Sequence, residues 1–188
     1  MIKASLNQVS SRMMIMLFNQ LAVIITIPWL AMQLSPEVFG LVSTSLIIIQ
    51  VGWVFIDWGL MNYATEIWQD GDDKNKKNEL ITNLITSRLI LSAIYLTLIF
   101  FLIAFGVIFI PYSFLPPLAL TTIFGAVFPL WFFHVNKNPK DLIGITLFSR
   151  LIFIALVVIF VKADSHAPTY LYLHSVSFLV ITLFAYYK

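Results

Sequence analysis

The chain has 188 residues, of which 60% are apolar and only 11% charged, with a mean hydropathy of +0.94 and a formal net charge of +2. A soluble domain carries roughly 25% charged residues, so a water-soluble fold is excluded. The chain contains no cysteine, which excludes disulfides and thiolate metal sites.

A helix needs about 20 apolar residues to cross the hydrocarbon core. Six apolar runs meet that length, at 13–33, 38–61, 80–110, 115–133, 142–162 and 170–187. Backbone polar groups in lipid must pair within the segment, so runs this long read as helices rather than barrel strands. They consume most of the chain and leave no separate soluble domain.

Lys3 and Arg12 precede the first run, as in a signal peptide. The run is too long for one and no small-x-small cleavage site follows, so it reads as a retained span. Arg12, Asn19, Thr26 and Gln33 recur every seven residues and share nearly one helix face. The second run repeats the device with Ser43, Gln50 and Asp57. Such stripes are read in two ways: as interhelical hydrogen bonds holding the bundle together, at about 1 kcal/mol or less each, or as the wall of a hydrated pathway. Asn19, Thr26 and Gln50 are the candidate cavity-lining groups. Asp57, flanked by Trp58 and Gly59, either pairs with an intramembrane arginine or exchanges a proton or sodium ion with a cavity.

Asp70-Gly71-Asp72 has the D-x-D form that binds a metal–diphosphate in sugar-nucleotide enzymes, but with no nucleotide-binding domain around it the segment reads as a solvated linker. The third and fifth runs start alike. Glu79-Leu80-Ile81 leads to Ser87-Arg88-Leu89-Ile90, and Asp141-Leu142-Ile143 leads by the same spacing to Ser149-Arg150-Leu151-Ile152. Each Arg therefore lies about 13 Å along its helix from the acid. The repeat predicts two equivalent guanidinium groups facing one inner cavity; the alternative for either is snorkelling to the headgroups. Arginine suits a diphosphate because it stays charged and offers paired donors. His134 and His174 stand near span ends and read as interfacial. Trp29, Trp53, Trp58, Trp68 and Trp131 include several at expected interfaces, as aromatic belts do.

Of the eleven Lys and Arg residues, only Lys162 falls outside the loops and span ends on one side of these six spans. By the positive-inside rule that side, with both termini, is cytoplasmic. The opposite connections, 34–37, 111–114 and 163–169, are short. An enzyme acting on the outer face, such as a glycan polymerase, needs a larger outer loop than these.

Several short motifs now combine. Leu34-Ser35-Pro36-Glu37-Val38-Phe39-Gly40 resembles the L-x-x-E-x-F/Y-G turn of bacterial polysaccharide flippases. Asp57-Trp58-Gly59-Leu60, followed by Ala64, is similar to their D-x-G-L segment, and Pro129-Leu130-Trp131-Phe132-Phe133 to their P-x-W-aromatic stretch, with Arg150 where an Arg follows in span five. His134-Val135 stand where that family usually has Gln-Gly. The chain thus resembles the O-antigen (Wzx-type) branch of the multidrug/oligosaccharidyl-lipid/polysaccharide exporter superfamily.

The resemblance implies an all-α polytopic protein of the bacterial inner membrane, six transmembrane helices forming one lobe of a two-lobe transporter. It implies transport of an undecaprenyl-diphosphate-linked oligosaccharide from the inner to the outer leaflet, with Arg88 and Arg150 in a cationic cavity and Asp57 beside them. No catalysis, cofactor or nucleic acid is implied; the partners are membrane lipids, the lipid-linked glycan, and a second six-helix lobe or a second copy. The family has about twelve spans, so a chain ending at Lys188 reads as the N-terminal half or as an inactive remnant. A small-molecule or drug exporter of the same superfamily is the nearest alternative.

Overall fold

The computed structural model describes Leu17 and residues 20–70, 74–128 and 140–187. The described residues form helices α1 (Gln20–Gln33), α2 (Pro36–Asp57), α3 (Leu60–Asp70), α4 (Lys74–Ala104), α5 (Leu115–Val127), α6 (Lys140–Phe160) and α7 (Ala167–Tyr187). Two single 3₁₀ turns, Tyr112–Phe114 and Asp164–His166, lead into α5 and α7. No strand occurs among the described residues. Helices α2, α4, α6 and α7 are long and apolar enough to cross a membrane, and α1 and α5 are shorter apolar helices.

The outward faces remain apolar. Ile90, Ile94, Leu98 and Phe101 on α4 are exposed, as are Phe148, Leu151, Ile152 and Ile159 on α6. In water such faces would be an aggregation surface; helices that are apolar all round belong in lipid. The fold is that of a polytopic all-α membrane protein.

Local chemistry sets where helices start and stop. Pro36 and Glu37 open α2: the ring lacks only a donor that would be orphaned anyway, and the carboxylate faces the positive end of the helix dipole. The apolar run 38–61 is broken rather than the single helix that its sequence pattern predicts. Trp58 turns left-handed (φ 32°, ψ 37°) and Gly59 follows at φ 82°. Helix α2 therefore ends at Asp57, and the amphipathic α3 runs on from the break. Similarly α4 ends at Ala104 rather than 110, because Gly106 at φ 71° lets Val107 N–H return to the Leu102 carbonyl at 2.9 Å. Helix α7 begins at Ala167, three residues before the predicted span.

The core joins α1, α2, α5, α6 and α7 through buried Leu30, Val42, Ile49, Leu118, Phe153, Val157, Tyr170 and Leu171. A satellite cluster of Ala64, Leu80 and Leu84 seats α3 on the start of α4. Near Pro36, α1 and its following turn are tied to α6 and α7. Trp29 Nε1 donates to the Val161 carbonyl at 3.0 Å, Ser35 N–H to Asp164 Oδ1 at 2.7 Å, and the Thr26 and Tyr170 hydroxyls share a bond at 3.2 Å. These ties close one end of the bundle and leave a cavity between the same helices toward the other.

Candidate functional site

The cavity has a volume of about 790 Å³, within the ~300–1,000 Å³ of small-molecule sites. Gln20 and Val23 of α1 form one wall, and Leu46, Ile49, Gln50, Trp53, Val54 and Asp57 of α2 the next. Arg150 of α6 and His174 and Phe178 of α7 complete it, and Trp58, Gly59, Met61 and Asn62 stand around its α3 end. A helix exposes one residue in three or four on a given face, so Gln50, Trp53, Asp57 and Gln20, Val23 arrive there by spacing alone.

Arg150 is only 3% exposed. Its Nη1 donates to Ser177 Oγ at 3.1 Å, and the guanidinium lies 4.3 Å from the centre of the Phe178 ring. Ser177 is itself held by Ser149, whose hydroxyl lies 3.1 Å from both Ser177 Oγ and the Ser177 carbonyl oxygen. These contacts, with Ser177 and with the Phe178 ring, hold the guanidinium at the cavity wall.

Arg88 is placed differently. Its Nη2 pairs with Asp57 Oδ1, and Nη1 donates to the Phe128 carbonyl at 3.2 Å. It lines a second, smaller cavity of about 120 Å³ together with Trp53, Ile56, Asp57, Gly125, Ala126, Phe128 and Phe178. Trp53, Asp57 and Phe178 line both spaces. The repeat of the two Arg segments therefore does not deliver two equivalent guanidinium groups to one cavity. Helix α4 packs against α2 and α5, so Arg88 meets the far side of α2, where Asp57 takes it up.

Thr26 also departs from its expected place on the cavity wall. It is buried, donates back to the Ala22 carbonyl at 2.9 Å and shares the bond with Tyr170, because its face of α1 meets α7. Of the polar stripe residues, Gln50 lines the cavity, as does Asp57 at the end of α2. Arg12 and Asn19 lie outside the described residues, as do Gly71, Asp72, His134 and the Pro129 to Phe133 motif.

His174 is not interfacial. It is 4% exposed and sits in the middle of an aromatic cluster. Its ring stacks on Trp53 and Tyr170, each at 6.2 Å, and meets Phe153 and Phe178 edge-on at 5.5 and 5.1 Å. The spacing Tyr170, His174, Phe178 is i, i+4, i+8, which stacks the three on one helix face and is legible in the sequence. Trp53 belongs to this cluster rather than to an aromatic belt; its indole packs directly over Gly125, where any Cβ would collide with the ring. Ser177 has no sequence signal that separates it from the other serines.

Among the described residues no group of three or more His, Cys, Asp or Glu side chains is arranged to hold a metal ion. The chemistry on the wall is one fixed guanidinium, one ion-paired carboxylate, carboxamides and aromatic faces. Such groups can hold a ligand through charge, hydrogen bonds and ring contacts.

An all-α bundle with apolar exteriors and four helices long enough to span a bilayer defines a multi-pass membrane protein, and a cavity opens between its helices. The sequence profile of the polysaccharide biosynthesis protein family matches residues 5–188, nearly the whole chain, and the chain belongs to that family. No curated protein and no solved structure matches it.

Proposed function

We propose that this chain is a six-helix lobe of a flippase that carries an undecaprenyl-diphosphate-linked oligosaccharide across the bacterial inner membrane, from the inner to the outer leaflet. The observation that carries the reading is Arg150, buried at the wall of a cavity of about 790 Å³ with Ser177 and the Phe178 ring against it. An intramembrane cation is costly and marks a ligand path by default, and a guanidinium takes phosphate oxygens in pairs. The α3 end of the cavity is its cytoplasmic mouth, on the positive-inside argument, and the ties between α1 and α6–α7 close the outer end. The lobe then has the form of an inward-facing state. Its partner is a second six-helix lobe or a second copy, since alternating access requires two units that rock against each other. The activity is translocation rather than bond chemistry.

The test is surface polysaccharide display by cells carrying the complete transporter. Arg150→Ala abolishes display, whereas Arg150→Lys retains part of it by keeping the charge and losing the paired donors. Normal display by Arg150→Ala removes the anion-binding assignment. A drug exporter of the same superfamily is the second reading, favoured by the aromatic lining of Trp53, Trp58, His174 and Phe178. Organic cations seek ring faces and a free carboxylate; here Asp57 is taken by Arg88. Loss of tetraphenylphosphonium efflux, with display unchanged, in an Asp57→Asn strain would favour that second reading.

A further inference from the structure

Trp58 is the one non-glycine residue with positive φ among the described residues. A bulky aromatic in the left-handed region is a true outlier, and such strain collects at ligand clamps. Core packing does not offset it here. The indole is 76% exposed, and its one ring contact among the described residues is edge-on to Phe55 at 5.9 Å. The strained backbone holds a large flat apolar face at the mouth of the cavity, beside Asn62.

The uncharged polar groups of this cavity point to one ligand chemistry. Gln20, Gln50 and Asn62 all line it and all are exposed. None of the three carboxamides has a side-chain hydrogen-bond partner among the described residues. Each carries two donors and an acceptor with two lone pairs. A diphosphate only accepts, so it calls for Arg150. An organic cation calls for carboxylates, and the one described carboxylate on this wall is ion-paired. A group that both donates and accepts while presenting an apolar C–H face suits carboxamides around an indole. That group is a sugar ring.

We propose that the mouth of the cavity is a pyranose subsite, in which Trp58 stacks on the ring and Asn62, Gln50 and Gln20 take its hydroxyls, apart from the phosphate held by Arg150. This rests on the flippase reading and adds a residue that selects glycosylated over bare lipid diphosphate. The division of labour separates recognition of the anchor, common to every lipid diphosphate, from recognition of the cargo.

The intact protein in lipid nanodiscs is titrated with two probes, undecaprenyl diphosphate and the same lipid bearing one hexosamine. The wild type holds the glycosylated lipid roughly five- to tenfold more tightly, the factor one aromatic contact carries. Trp58→Ala brings the ratio to about one while leaving the bare lipid unchanged, and Trp58→Phe keeps most of the preference. Arg150→Ala weakens both lipids alike. Trp58→Gly suits a backbone at φ 32°, so its loss of preference without loss of thermal stability separates recognition from misfolding. A ratio that survives Trp58→Ala, an equal loss for both lipids, or no preference in the wild type overturns the subsite. Failure of the wild type to bind either lipid overturns the flippase reading instead.

Discussion

Arg88 and Arg150 occupy the same place in two copies of one short pattern, an acid, Leu-Ile, then Ser-Arg-Leu-Ile. Their surroundings nevertheless differ in kind. Arg88 meets a carboxylate and a backbone carbonyl beside a space of about 120 Å³. Arg150 meets a hydroxyl and a ring face beside one of about 790 Å³. An ion-paired guanidinium is structural, because breaking the pair leaves a charge stranded. On the flippase reading, a guanidinium on the wall of the larger cavity is the one that meets the ligand. The helix an arginine faces, rather than the segment it sits in, decides between the two.

That contrast can be broken by substitution, and the largest effect falls on the structural member. Arg88→Ala strands Asp57 and lowers stability by about 3 kcal/mol, the low end of the range for a broken buried pair, because the Asp57 side chain is 36% exposed. Thermal unfolding in detergent measures it. The double variant Arg88→Leu/Asp57→Leu recovers most of that loss, since neither charge remains. If Arg88→Ala is as stable as the wild type, the pair is not structural and the contrast with Arg150 collapses.

Next comes the wall shared by the two cavities. Gly125→Ala drives a methyl into the Trp53 indole and costs about 1–3 kcal/mol through overpacking, with a change in tryptophan fluorescence as the ring shifts. Unchanged fluorescence and stability would mean that the wall between the two arginines yields freely. The smallest effect is at the supports. Ser177→Ala removes a hydroxyl from Arg150 and lowers stability by about 1 kcal/mol or less, as interhelical polar contacts in membranes do. Thr26→Val, which removes the Tyr170 bond at the closed end, sets the scale for comparison, and a Ser177→Ala loss several times larger would mark Arg150 as structural too.

Parts of this arrangement can be read directly along the chain. Gln50 and Asp57 reach the cavity because seven residues make nearly two helical turns, and Tyr170, His174 and Phe178 align for the same reason. Thr26 shares its periodicity with such residues yet faces α7, because periodicity fixes which residues share a face but not what that face meets. The break at Trp58 was hidden by the apolar run that continues through Met61; lipid tolerates an apolar stretch of any backbone shape only if its polar groups are satisfied, and here Gly59 makes the turn possible. His174 resembled an interfacial histidine only while its span was taken to begin at Tyr170 rather than Ala167.

What the sequence determined by itself is what depends on single segments. Composition excludes water as the solvent for this fold, run lengths make helices, and the placement of Lys and Arg points to an orientation, because each of these follows from the transfer energy of one stretch of chain. Tertiary structure alone decided which group each charge meets. Asp57 and Arg88 are 31 residues apart and Arg150 and Ser177 are 27 apart, and electrostatic pairing depends on distance through space. Only the packing of α4 behind α2, and of α6 beside α7, brings those atoms together.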